Sequence, residues 1–183
     1  MKNSTLIKDS SYAVYGLGLS GYSALNFLKK KNVRKIYTWD DKKNKNNKKK
    51  FNLFKKALDV VDYIVISPGI KIQKTKLKLT LSRNKKKIIT DLDLFYMQKI
   101  SVKSIVITGT NGKSTTCKLM QHIFKTNRLD VQLGGNIGKP ILDLKIGRKT
   151  VVIIEASSFQ LAYTKFIKPT LAVILNITRD HLD

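Results

Sequence analysis

Two residues frame the chemistry open to this chain. Lys113 lies in the stretch Gly109-Thr110-Asn111-Gly112-Lys113-Ser114-Thr115, and Glu155 follows the apolar run Val151-Val152-Ile153-Ile154. A lysine and a hydroxyl behind two glycines suit a triphosphate. Glycine lets the backbone approach phosphate oxygens, and the start of a following helix turns several N–H groups toward them. Lys113 would place a point charge on the β- and γ-phosphates, and the Ser114 hydroxyl can ligate Mg²⁺. The loop is shorter than the general phosphate-binding pattern, because Ile107 stands where that pattern has its first glycine. The plain alternative is a strand-to-helix turn with a chance Gly-Lys-Ser. The β-branched run before the loop and the helix-compatible residues 117–125 after it argue against that. Glu155, at the carboxyl end of a continuous apolar strand, is placed to hold Mg²⁺ as a Walker-B acid does, a strand-end salt bridge being the alternative. His181 stands between Asp180 and Asp183 after a second apolar run, 171–175, where its imidazole is a candidate metal ligand. The other histidine, His122, falls mid-helix and reads as surface or packing.

A second glycine motif lies upstream. Gly16-Leu17-Gly18-Leu19-Ser20-Gly21 follows the short apolar run 12–15, and residues 22–30 have helical spacing. Residues 33–39 form the next strand, ending at Asp40, followed by Asp41 and Lys42. A G-x-G-x-x-G turn with an acid about 20 residues on is the dinucleotide fingerprint. Its physics is a glycine turn plus a helix N-terminus holding a diphosphate. NAD, FAD and the diphosphate of a UDP-sugar all meet that description. A third strand, 60–66, turns sharply at Ser67-Pro68-Gly69. Ligands of open parallel sheets lie beyond the strands' carboxyl ends, so Ser67, Pro68 and Gly69 are contact candidates, against a plain Pro-Gly turn.

The remaining elements must position these loops. Residues 41–50 are Lys/Asn-rich and read as a solvated loop, 51–58 as a short amphipathic helix, and 88–89 as a short strand. Residues 91–98 form a helix capped by Thr90 or Asp91. Gly134-Gly135-Asn136-Ile137-Gly138 is too glycine-dense for a regular element, and Asn136 could hydrogen-bond a substrate. Ser157, Ser158 and Gln160 add polar groups beside Glu155. The run 171–175 reads as a further buried parallel strand. The expected fold class is α/β throughout: a Rossmann-like domain over 1–100, then an incomplete phosphate-loop α/β domain over 101–183, the boundary falling near 99–103.

The chain has 183 residues, 42% of them hydrophobic, with a formal net charge of +24. Such a charge raises nucleic-acid or anionic-membrane binding. It is dispersed, however, and few aromatics interleave with the basic runs, which favours solvated surface and no nucleic-acid partner. A single cysteine, Cys117, rules out an internal disulfide framework and suits a reducing compartment; it reads as a buried packing residue. No apolar run approaches the ~20 residues of a membrane span, and the first residues lack a signal-peptide core, so a cytoplasmic protein is expected.

Three stretches in order, Gly109 to Thr115, Glu155-Ala156-Ser157-Ser158-Phe159-Gln160-Leu161 and Asn176-Ile177-Thr178-Arg179-Asp180-His181-Leu182-Asp183, resemble the central domain of the Mur ligases, the ATP-dependent amide ligases of peptidoglycan synthesis. The resemblance begins at about Tyr12 and is strongest to the family's D-glutamate-adding branch. It implies that ATP and Mg²⁺ are used to activate the L-alanine carboxylate of UDP-N-acetylmuramoyl-L-alanine as an acyl phosphate. The amine of D-glutamate would then attack it. By the same resemblance, Gly16, Leu17, Gly18 and Ser20 hold the UDP diphosphate, with Asp41 and Lys42 near the uracil or ribose. Lys42 stands where the family often has an arginine. Ser67, Pro68, Gly69, Asn136 and Ser157 complete the substrate contacts, and His181 supports a second metal. The family's third domain and downstream carbamoylated lysine lie beyond these motifs, so the chain is expected to be a fragment, inactive alone, of an enzyme that is a monomer when complete. A dinucleotide-dependent oxidoreductase, a nucleic-acid-stimulated ATPase and a ligase for another amino acid are the competing readings.

Overall fold

The computed structural model describes residues 4–179, and they fall into two compact units. One runs through Lys99 and takes in Tyr163–Phe166; the other comprises Ile100–Ala162 and the described residues from Ile167 onward.

In the first unit, a short helix α1 (Ser4–Asp9) leads into β1 (Tyr12–Tyr15), α2 (Leu19–Lys30), β2 (Ile36–Trp39), α3 (Lys48–Val60), β3 (Tyr63–Ile66), α4 (Lys78–Arg83), β4 (Ile88–Ile89) and α5 (Asp91–Met97). The strands pair in parallel in the order β2-β1-β3-β4. Parallel neighbours need crossover connections, and helices supply most of them. β1 is buried along its whole length because the sheet is covered on both faces, which explains its uninterrupted apolar pattern. One face packs Tyr15, Ile64 and Ile66 with Phe54, Leu58, Leu77 and Leu81.

Several element limits differ from the sequence expectations. α2 begins at Leu19, so the second half of the glycine motif is already helix. Lys48–Lys50 belong to α3, where the Asn47 carboxamide oxygen accepts from Lys50 N–H at 2.8 Å; that cap draws the last three residues of the expected solvated loop into the helix. α5 opens on Thr90, whose N–H donates to Asp93 at 2.7 Å. Asp93 is buried and also accepts the N–H groups of Lys165 and Phe166, each at 2.7 Å, which holds Tyr163–Phe166 in this unit. Burial pushes the Asp93 carboxyl above its ordinary range, against the pull of those N–H donors.

The second unit contains β5 (Lys103–Thr108), α6 (Lys113–Thr126), β6 (Val131–Gly135), β7 (Val151–Glu155), α7 (Ser158–Tyr163, whose last residue belongs to the first unit) and β8 (Leu171–Ile174). The parallel order is β6-β7-β5-β8. Ile107, Cys117, Val131 and Ile153 form its buried centre, joined by Ile105, Met120 and Phe124. His122 is exposed on α6.

Two expectations are corrected here. Gly134 and Gly135 are strand residues, paired with Ile154 and Glu155. Their density reflects close approach rather than irregularity. A Cβ on Gly135 would lie 2.3 Å from the Glu155 carbonyl oxygen, and one on Gly134 would lie 2.7 Å from that of Lys139. β8 is likewise not a buried strand. It lies at the sheet edge, with Leu171 51% and Ile174 64% exposed among the described residues.

The buried centre of this unit makes a direct prediction. Burial, and next the negative charge of Glu155, push the Cys117 thiol up to about 11. At pH 8 only about one thiol in a thousand would be thiolate even if it were reachable. Cys117 should therefore resist a disulfide reagent such as Ellman's in the folded chain and react within seconds in denaturant. Rapid labelling of the folded chain would contradict the packing described.

Candidate functional site

In the first unit, the glycine turn after β1 and the Ser67 turn after β3 lie side by side, because those two strands are neighbours. This is where the sheet order reverses, the position at which open α/β sheets bind ligands. The Ser67 hydroxyl donates to the Gly16 carbonyl at 2.8 Å, and its N–H donates to the Tyr15 carbonyl at 3.0 Å. Ser67 therefore shapes the glycine turn directly.

The glycines of the two turns divide by what surrounds them. A Cβ on Gly21 would lie 1.8 Å from the Gly16 carbonyl oxygen; Gly16 has φ +89° and would meet the Ser67 side chain at 2.9 Å. The fold itself demands both. Gly18 and Gly69 would meet nothing within 4 Å. Their faces are open, as a position approached by a ligand requires.

The acids after β2 are used by the protein. Asp40 Oδ2 accepts the Leu17 N–H at 2.7 Å, and Oδ1 accepts those of Lys42 at 3.0 Å and Lys43 at 2.9 Å. Burial alone would raise the Asp40 carboxyl, but the three N–H donors and the Lys43 charge hold it below the usual carboxylate range. Asp41 accepts the Tyr15 hydroxyl at 2.5 Å and the Trp39 indole N–H at 2.7 Å. Lys42 is exposed, and its backbone joins the Asp40 turn. Lys43 was missed by sequence reasoning. Its ammonium donates to the Leu17 carbonyl at 2.9 Å and lies 4.2 Å from the Tyr22 ring centroid, so it is the cation beside the glycine turn. A lysine inside a lysine run carries no signal by which to single it out. Ser20 is half-buried in the first turn of α2.

In the second unit, the carboxyl ends of all four strands contribute. Gly112 has φ +81° and starts α6, so the chain turns from β5 into the helix over Gly109 to Gly112. The Lys113 ammonium donates back to the carbonyls of Gly109 at 2.6 Å and Thr110 at 2.8 Å. The Thr110 and Asn111 N–H groups are already bonded to Asn176, which leaves the amides at the head of α6 as the candidates for an anion. Thr115 follows in the first turn of α6.

Glu155 ends β7, the neighbour of β5, and is 2% exposed. Its two carboxylate oxygens accept from different elements: Oε2 from the Ser114 hydroxyl at 2.7 Å, and Oε1 from the Asn136 carboxamide at 3.0 Å. The Asn136 N–H also donates to the Glu155 carbonyl at 2.8 Å. The three residues read separately from sequence thus meet at one carboxylate. Ser157 lies apart from them in its bonding. It starts α7, with its N–H and hydroxyl on Gln160 Oε1 at 3.1 and 3.2 Å, and its hydroxyl accepts the Gln160 N–H in return. That is the Ser-x-x-Gln capping box. His181, with Asp180 and Asp183, lies outside the described residues. Among the described residues, no three His, Cys, Asp or Glu side chains cluster as a metal-binding group.

Asn176 is a residue that sequence reasoning passed over within a stretch it had singled out. Its side chain bonds the backbone of Asn111, N–H and carbonyl both. Only the alignment of β8 with β5 brings the two together.

Residues 107–183 match the Mur ligase middle domain, and residues 10–89 match the MurD-like N-terminal domain of Mur ligases. Similar curated proteins include the UDP-N-acetylmuramoylalanine–D-glutamate ligases of Wolbachia pipientis wMel (37% identical), Rickettsia bellii (38%) and Rickettsia prowazekii (39%). The similarity covers 96%, 98% and 96% of this chain, but 36%, 41% and 40% of theirs. The chain thus spans about two fifths of the length of these relatives. Among solved structures, the UDP-N-acetylmuramate:L-alanyl-γ-D-glutamyl-meso-diaminopimelate ligase of Neisseria meningitides superposes with a TM-score of 0.51 at 17% identity, covering 95% of this chain and 62% of that one. At that identity the likeness speaks for the fold.

The division of glycines makes a prediction that needs no ligand. Gly21→Ala should lower stability by about 1–3 kcal/mol, as overpacking against fixed backbone does, whereas Gly18→Ala, at the N-cap of α2, should cost no more than about 1 kcal/mol. Urea unfolding of the two variants checks this. Equal losses would mean that the open face at Gly18 is not there.

Proposed function

The chain belongs to the Mur ligase family, and from that we propose that it forms the substrate-binding and nucleotide-binding parts of a UDP-N-acetylmuramoyl-L-alanine:D-glutamate ligase, acting in the cytoplasm on peptidoglycan precursors. One observation carries the reading most directly: a buried carboxylate, Glu155, bonded to the hydroxyl that follows the phosphate-loop lysine.

A carboxylate is a poor electrophile, and ATP is the means of activating it. Amides at the head of α6 would take the phosphate oxygens. Lys113 would exchange its two carbonyl partners for phosphate oxygens and so neutralise charge that develops during transfer. The donor set at Glu155 fits Mg²⁺, because carboxylate and hydroxyl oxygens are the hard ligands that ion prefers. Glu155 and Ser114 would hold it, with His181 as the candidate for a second metal. Mg²⁺ when bound would neutralise charge on the triphosphate. Asn136, which already orients Glu155, would align the substrate as well. In the first unit, Gly16, Leu17, Gly18 and Ser20 would hold the UDP diphosphate and Ser67, Pro68 and Gly69 would line its other side, with Asp41 and Lys42 at the nucleoside end. Ser157, whose N–H and hydroxyl are both engaged in its cap, would contact substrate only by giving up a cap bond. D-Glutamate as the incoming amine is supported by the relatives' names.

The two glycine turns should be separable by binding measurements on the chain. Lys113→Ala should weaken Mg²⁺ with a non-hydrolysable ATP analogue by roughly tenfold or more, through loss of one charge-assisted contact, and leave UDP-N-acetylmuramoyl-L-alanine binding unchanged. Gly18→Val should do the reverse, and NAD should bind neither variant nor the parent chain. Reversed selectivity would exchange the ligands of the two loops; NAD binding at the first would replace the ligase reading with the dinucleotide one.

A further inference from the structure

The segment after β8 is tied to the phosphate loop by five hydrogen bonds. Asn176 Oδ1 accepts the Asn111 N–H at 2.9 Å, and Asn176 Nδ2 donates to the Asn111 carbonyl at 3.1 Å. The Thr110 N–H donates to the Asn176 carbonyl at 3.1 Å. The Thr110 hydroxyl completes the set, donating to the Thr178 carbonyl at 3.2 Å and accepting the Thr178 N–H at 3.0 Å. Two side chains, Asn176 and Thr110, thus each satisfy both the N–H and the carbonyl of a residue on the opposite segment.

We propose that Asn176, with the Thr110 hydroxyl as its counterpart, is a positioning residue for nucleotide binding: it holds the phosphate loop in its binding shape before the nucleotide arrives. The proposal rests on the nucleotide reading of this loop. A carboxamide is the uncharged group that offers an acceptor and a donor at the spacing of a peptide's own N–H and carbonyl. Bonding both fixes the Asn111 peptide planes and removes the Asn111 N–H from the groups available to phosphate. The free amides are then those that follow, at the head of α6. The loop contains Gly109 at φ +148° and Gly112 at φ +81°, conformations that an untethered glycine leaves easily. Ordering such a loop at the moment of binding would cost affinity, and a loop already ordered avoids that cost.

Two features separate this role from packing. Asn176 is exposed, so its side chain fills no core space. Its bonds go to Asn111, not to its own strand. Substitution should therefore leave the fold intact and loosen only the loop.

The test uses the 183-residue chain and two measurements. Backbone amide exchange at Asn111, without ligand, reads the tether itself. Calorimetric titration with Mg²⁺ and a non-hydrolysable ATP analogue reads its consequence. In Asn176→Ala, exchange at Asn111 should rise about tenfold and the analogue's affinity should fall about tenfold, the size of one or two lost hydrogen bonds, with the unfolding midpoint unchanged. Asn176→Asp keeps the acceptor oxygen, so it should restore the exchange protection of Asn111, while its charge beside the phosphates keeps affinity low. Thr110→Val should show the same pairing of faster loop exchange and weaker binding. Unchanged exchange in Asn176→Ala would overturn the tether. Faster exchange with unchanged affinity would overturn its role in positioning. Absence of analogue binding by the parent chain, with Asn111 still protected, would overturn the nucleotide reading, and the positioning role with it, while leaving the tether in place.

Discussion

A buried carboxylate has to be met by donors, and the second unit is arranged around meeting one. Glu155 lies at the end of β7, between β6 and β5, and each neighbour sends it a group. Asn136 arrives from the turn after β6 and Ser114 from the helix after β5. An unpaired carboxylate there would cost several kcal/mol, so the two loops are held in register by the same requirement that holds the charge. The paired glycines of β6 serve that requirement. They let the strand and the turn after it come within hydrogen-bond reach of the Glu155 backbone.

The first unit solves a similar problem with different chemistry. Its glycine turn carries no charged side chain of its own. Its shape comes from Ser67 on one side and Asp40 on the other, each reaching across from a neighbouring strand end. Asp40 holds three N–H groups and remains a carboxylate, so the turn keeps a fixed negative partner. Lys43 supplies the balancing cation, close to Tyr22. The high positive charge of the chain as a whole adds a general field favourable to anionic ligands. Among the described residues, no helix is long and apolar enough to cross a membrane.

What the residues alone could disclose follows from how local each property is. Both glycine turns, the apolar strands and the lysine–hydroxyl pair are encoded by neighbours within about ten residues, so their types and order were readable without a fold, and the motif order was enough to mark the family resemblance. Glu155 could be singled out because a carboxylate ending an apolar run is a local anomaly. Asn136 and Ser157 could be noticed but not sorted. One of them meets Glu155 and the other caps α7, a distinction set by which strand lies beside which.

The remainder depended on strand order. Edge and centre strands share the same apolar composition, so β8 looked like β7 until the sheet placed it at the margin with half of Leu171 in solvent. The glycines of β6 looked like a loop because the reason for them, the carbonyls of Glu155 and Lys139, lies elsewhere in the chain. Asn176 is 65 residues from Asn111 and gave no local sign of its partner. Sequence by itself determined which elements form and which groups could do chemistry. Only the tertiary structure decided which of those groups meet, because a hydrogen bond over some 3 Å between distant residues is set by packing and register, and no local pattern encodes it.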